Sequence, residues 1–133
     1  MSQTTFESLE LSQQVLQAIR TCGFESPTEI QAKSIPLIMN GQDVVGRSNT
    51  GTGKTAAFAI PAIEQLDPAL KQVQVLVLSP TRELALQSKE EFDRFSKFVK
   101  GITSVCIYGG APIDRPVSYT HLVLSDLENR IHG

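Results

Sequence analysis

Lys54 and Thr55 stand side by side behind "SNTGTGK", a stretch with glycines at 51 and 53 and no bulky side chain. Such a lysine can place its ammonium on the β- and γ-phosphates of a nucleotide, and the threonine hydroxyl can ligate Mg²⁺. Gly51 and Gly53 let the backbone approach the anion, and the positions from Ser48 through Asn49, Thr50 and Thr52 to Ala56 are the candidate phosphate-facing residues. A second group is Gln31, whose carboxamide matches the donor and acceptor edge of adenine, with Phe24 or Phe6 to cover the base face. A third is Thr81 and Arg82 after Pro80, where hydroxyl, guanidinium and helix-start amides can meet a phosphate. Gly109 and Gly110 allow a similarly close approach to a sugar-phosphate chain.

Each group has a plainer alternative. The glycine-rich stretch can be a slack loop, Gln31 an exposed helical residue and Phe24 a core residue. Thr81 can simply cap a helix, with Arg82 in a surface ion pair, and the two glycines can form an ordinary turn. The elements that would position the groups decide between these readings.

"LSQQVLQAIRTCG" (11–23) predicts a helix capped by Ser12, with Val15, Leu16, Ile19 and Cys22 on one face and Gly23 at its end. "SPTE" (26–29) has the form of a capping box, Ser26 with Glu29, and places Pro27 at the first helical position of a second helix. Pro36 is expected to interrupt or restart that helix. "DVVG" (43–46) predicts a short buried strand, followed by the glycine-rich loop and a helix over "KTAAFAIPAIEQL" (54–66). Strand, loop and helix in this order are what a phosphate cradle requires. "VQVLVLSP" (73–80) and "TSVCIYGG" (103–110) predict two more strands. Between them "RELALQSKEEFDRFSKFV" (82–99) carries a helical period through Leu84, Phe92, Phe95 and Val99. Apolar strands separated by helices imply an α/β fold with a parallel sheet and helices on both faces.

Composition narrows the classes. With 133 residues, 41% hydrophobic and 20% charged, the chain fits one globular domain. A net charge of −2 and a pI near 5.6 argue against coating nucleic acid by bulk charge, so any such contact must be local. No apolar run approaches the ~18 residues of a membrane span, and the N-terminus lacks a targeting pattern, so no membrane partner and a cytoplasmic location are expected. Cys22 and Cys106 suit neither a zinc site nor a disulfide framework and are expected to be small core residues.

One departure directs the reading further: the general phosphate-loop pattern wants glycine at position 48, and this chain has Ser48. The DEAD-box RNA helicases carry A-x-x-G-x-G-K-T there, and "SNTGTGKT" (48–55) resembles it. "GFESPTEIQ" (23–31) resembles the Q motif of that family, with Phe6 as the isolated upstream aromatic. "PTRELALQ" (80–87) resembles motif Ia, and Gly109–Gly110 stand where the family has a glycine pair. The resemblance covers residues 6–112 with four motifs in family order. It implies the first RecA-like P-loop NTPase domain of an ATP-dependent RNA-remodelling enzyme, with ATP and Mg²⁺ as cofactors, RNA held by its backbone, and a second RecA-like domain as partner.

Residues 113–133 depart from the pattern, so the division expected is 1–112 as a partial RecA-like domain and 113–133 as an atypical tail. The T-P-G-R, D-E-A-D and S-A-T motifs are all missing. "HLVLSDLE" (121–128) reads as an apolar strand followed by two acids; aligned with D-E-A-D it would put Ser125 in place of the first aspartate, and a serine cannot do that carboxylate's work near Mg²⁺. The domain is therefore expected to be incomplete at its C-terminal side, and the chain alone to hold ATP without hydrolysing it. Two other readings stay open: a P-loop ATPase or kinase acting on a non-RNA substrate, and a non-catalytic nucleotide-binding or interaction fragment.

Overall fold

The computed structural model describes residues 3–48, 53–108 and, as a strand, 122–126. The chain divides into two compact units, Met1–Gln65 with Arg94–Val99, and Leu66–Asp93 with Lys100–Gly133. Among the described residues no helix is long and apolar enough to cross a membrane.

The first unit is helical. A 3-10 turn (Glu7–Leu9) leads into α1 (Gln13–Thr21), followed by α2 (Glu29–Met39) and α3 (Lys54–Glu64). The Ser12 hydroxyl accepts from the Val15 N–H and caps α1, while Val15, Leu16, Ala18 and Ile19 are buried. Gly23, at φ +83°, ends the helix as the sequence predicts. Ser12 also donates its N–H (2.9 Å) and its hydroxyl (2.8 Å) to Oε1 of Glu64, which ties the start of α1 to the end of α3. A carboxylate at a helix N-terminus is favourably placed against the helix dipole. Replacing Ser12 by alanine removes the cap and one of the two bonds to Glu64. It is expected to cost about 1 kcal/mol, within the usual range for lost caps, measurable by thermal unfolding.

Two expectations about α2 are corrected. Its cap is Thr28, not Ser26, and the box partner is Gln31, not Glu29; the helix begins at Glu29, so Pro27 lies outside it. Nor does Pro36 interrupt α2, which runs on to Met39. Pro36 faces solvent, where the carbonyl it leaves without a ladder partner can bond water, while Gln31, Ser34 and Ile35 hold the opposite face in the core.

The strand expected at 43–46 does not form: residues 42–48 carry no regular structure, and Val45 is fully exposed. A parallel strand exists by virtue of the ladders on its flanks, and two valines cannot substitute for neighbours that are not paired to them. Cys22 and Cys106 are half-buried rather than core residues.

The second unit holds the sheet: β1 (Val75–Ser79), α4 (Arg82–Phe95, through Asp93), β2 (Ser104–Ile107) and β3 (Leu122–Asp126). All pairs are parallel and the order is β1-β3-β2, with Val77 opposite Leu124 and Cys106 opposite Leu124. The apolar strand read in "HLVLSDLE" is thus present, and it is the central one. β1 does not bury both faces: Leu76 and Leu78 are exposed, 51% and 44%. The helix predicted over 82–99 stops at Phe95. Its buried line is Ala85, Ser88, Phe92 and Phe95, and Leu84, about 80° round the helix from Phe92, is exposed instead of core.

Candidate functional site

Among the described residues four α-helices begin, and three are capped by a hydroxyl. Ser12 caps α1, Thr28 caps α2 by accepting from the Gln31 N–H, and Thr81 caps α4 by accepting from the Leu84 N–H at 3.2 Å. α3 has no side-chain cap. Its cap residue is Gly53, at φ +81°, and its first ladder bond runs from Ala57 N–H to Gly53 O (3.2 Å). The N–H groups of Lys54, Thr55 and Ala56 therefore have no acceptor within the helix. Amides left open at a positive helix end form an anion site. Lys54 is exposed beside them and makes no ion pair among the described residues; Thr55 is half-buried in the same turn. The Ala56 methyl lies in the core, so only its backbone can face a phosphate. Ser48 is half-buried, while Asn49, Thr50, Gly51 and Thr52 lie outside the described residues.

Gln31 is where the structure adds most to the sequence reading. Its side chain is 2% exposed. Oε1 accepts from the Thr28 N–H at 3.0 Å, closing the capping box, and Nε2 donates to Gly53 O at 3.2 Å. The start of α2 and the start of α3 are thereby fastened together by one carboxamide. An amide has two N–H donors and two acceptor lone pairs, so one of each remains after these bonds. Thr28, which sequence reasoning passed over, is the residue that orients this amide. The signal was available, because "TEIQ" (28–31) fits the capping-box pattern as well as "SPTE" does.

Phe6 and Phe24 line one cleft of about 450 Å³ with Leu16, Ile19 and Arg20. Phe6 is buried, whereas Phe24 is partly exposed and stacks on Phe95, ring centroids 6.0 Å apart and planes inclined by 27°. Gln31 does not line that cleft. A smaller gap of about 190 Å³ next to Lys54, walled by Ile30, Ile38, Val44 and Phe58, is below the usual size of a ligand pocket. Near the α2 start, Glu29 bonds Lys33 at 2.7 Å; that hydrogen bond, and then the lysine charge, hold its carboxyl below the ordinary glutamate range. Any stability this exposed pair adds is present above that range and is lost as pH falls through the lowered value.

In the second unit Pro80 and Arg82 are exposed and Thr81 is half-buried. The Arg82 guanidinium carbon sits 5.0 Å over the Tyr108 ring centroid. Gly109 and Gly110 lie outside the described residues.

A family model described as DEAD/DEAH box helicase matches residues 28–125. "ATP-dependent RNA helicase DeaD" of Escherichia coli (strain K12) is 49% identical over 112 residues, 84% of this chain and 18% of that protein. "DEAD-box ATP-dependent RNA helicase CshA" of Geobacillus kaustophilus is 50% identical over 114 residues, 86% of this chain and 24% of that protein. The chain thus spans about a fifth of the length of these relatives. Among solved structures, a DEAD box protein from Methanococcus jannaschii superposes with a TM-score of 0.86 at 38% identity, covering 95% of this chain and 35% of that one. Saccharomyces cerevisiae Dbp5 bound to RNA and ADP BeF3 gives 0.87 at 28% identity, covering 97% and 33%. The fold is therefore a RecA-like α/β domain. With four motifs in order, a family model over most of its length and relatives near 50% identity, the chain belongs to the DEAD/DEAH box helicase family.

Proposed function

We propose that the chain is the ATP-binding and RNA-contacting part of an ATP-dependent RNA helicase. The observation that carries this reading is the start of α3: three backbone donors without an acceptor in the helix, an exposed Lys54, and no hydroxyl cap in the place a phosphate would take. Lys54 and the amides of residues 54–56 bind the phosphates, and Phe24, partly exposed where Phe6 is buried, supplies aromatic surface for the base. The remaining N–H and lone pair of Gln31 suit adenine, which offers N7 as acceptor and N6–H as donor; guanine offers two acceptors there and would leave the lone pair unpaired.

Thr55 offers one neutral oxygen in the first turn of α3, which fits Mg²⁺, an ion that takes oxygen ligands and keeps waters and substrate phosphates as its others. Among the described residues no cluster of three or more acidic, histidine or cysteine side chains could hold a metal without the nucleotide. When bound, Mg²⁺ would neutralise charge on the phosphates. Thr81, Arg82 and the Gly109–Gly110 pair contact RNA through its backbone. A second RecA-like domain, as the resemblance implies, completes the hydrolytic site.

The 133-residue polypeptide is expected to bind MgADP more tightly than MgGDP in calorimetric titration. Equal binding of the two, or none, would overturn the adenine assignment. No RNA-stimulated phosphate release is expected of these 133 residues, which contain neither D-E-A-D nor S-A-T to orient water. Turnover that vanishes in Lys54→Ala would show this second expectation to be wrong.

A further inference from the structure

We propose that Tyr108 is a positioning residue for RNA, acting through Arg82; this rests on the RNA-backbone reading above. Arg82 is the first residue of α4 and is exposed. Binding a phosphate restricts the rotamers of a long arginine side chain, at an entropic cost. Tyr108 removes part of that cost in advance. Its ring lies under the guanidinium at 5.0 Å, well inside the range of cation–π attraction.

A guanidinium that stacks on a ring offers its flat face, whereas phosphate is bound by N–H groups in the plane. Stacking and phosphate binding therefore use different parts of the same group. The half-buried tyrosine fixes the plane, and the plane fixes where the N–H fork points. Lysine could not be aimed in this way, since its ammonium has no plane.

The placement of Tyr108 is itself secured. It follows directly on β2, which is separated from β1 by the central β3, so that Arg82 and Tyr108 leave strands about two spacings, or ~10 Å, apart. At the other end of β2, Ser104 donates its hydroxyl to Asp93 Oδ1 of α4 at 2.6 Å, and Lys89 holds Oδ2 of the same aspartate at 2.6 Å. β2 is thus tied to α4 at both ends, by Ser104–Asp93 and by Tyr108–Arg82. The residue immediately before Gly109–Gly110 is in this way coupled to the start of motif Ia, two segments to which the resemblance assigns contacts with the RNA backbone.

The test is fluorescence anisotropy of a short fluorescein-labelled oligouridylate with the 133-residue chain at low salt. Tyr108→Phe keeps the ring face and is expected to bind within about twofold of the parent. Tyr108→Leu keeps apolar bulk without the ring face and is expected to weaken binding about two- to fivefold. Arg82→Gln should weaken it about tenfold or more. In the Arg82→Gln background Tyr108→Leu should have no further effect, and MgADP affinity should be unmoved in all variants. If Tyr108→Leu matches Tyr108→Phe while Arg82→Gln still weakens binding, the inference is wrong and the RNA reading stands. If the parent does not bind, or Arg82→Gln binds as the parent does, the RNA reading falls and takes the inference with it. Should Tyr108→Leu fail to fold, the parent alone decides by NMR: the Arg82 side-chain protons must be shifted upfield by the ring, and ordinary arginine shifts would overturn the proposal.

Discussion

Replacing Lys54 by alanine is expected to weaken MgADP binding by the chain about ten- to hundredfold and to leave its thermal unfolding unchanged. The size follows from removing one charge-assisted hydrogen bond to phosphate, worth about 1.5–3 kcal/mol. The lack of a folding effect follows from the structure, in which Lys54 is exposed and in no ion pair among the described residues, so that truncation leaves no buried group behind. Some affinity should persist, because the backbone donors of residues 54–56 do not depend on the side chain. Lys54→Arg should recover only part of the loss, since a planar fork on a longer arm does not put its charge where a compact ammonium does. Calorimetry on the three proteins separates the outcomes. An alanine variant with parental affinity would mean that the start of α3 is not where the phosphates lie.

The parts of the site that were legible in the sequence are those written within a few neighbouring residues. Ser12, Gly23, Thr81 and the Lys54–Thr55 start of α3 are local signals, and each stands where its own chemistry puts it. The choice between Ser26 and Thr28 was not local. Both fit a capping box, and Thr28 is the one whose box brings Gln31 to Gly53, 22 residues further on. Pairings of this kind have no signature in either segment. The same is true of Arg82 and the aromatic ring it meets beyond the end of β2. Strand prediction failed at "DVVG" for a related reason: apolar residues announce a wish to be buried, but a ladder needs a neighbour. In β1 the run of leucine and valine signals two covered faces, and Leu76 and Leu78 remain exposed in a chain that spans only about a fifth of its relatives.

Gly53→Ala is expected to destabilise the chain about 2–5 kcal/mol, and the reason can be separated into two parts. At φ +81° an alanine pays about 1–2 kcal/mol for the left-handed conformation. Gly23, at φ +83°, would pay the same, and a Cβ there meets nothing within 4 Å. At Gly53 the added Cβ would overlap Nε2 of Gln31 and lie 3.2 Å from its Cδ. The amide must then move, giving up its bond to Gly53 O and straining its bond to the Thr28 N–H. Since Gln31 is buried, groups left without partners cost a further 1–3 kcal/mol or so. The unfolding midpoint should therefore fall about 1.5 to 4 times as far for Gly53→Ala as for Gly23→Ala. In a Gln31→Ala background the obstacle is gone, and Gly53→Ala should cost no more than the backbone part, so the two substitutions should be strongly non-additive. MgADP affinity supplies the functional arm: Gly53→Ala disturbs the peptide that leads into the open N–H groups of α3 and should weaken binding, whereas Gly23→Ala should not. Equal midpoints for the two glycine variants would show that the amide yields without cost, and that Gln31 is not what holds the starts of α2 and α3 together.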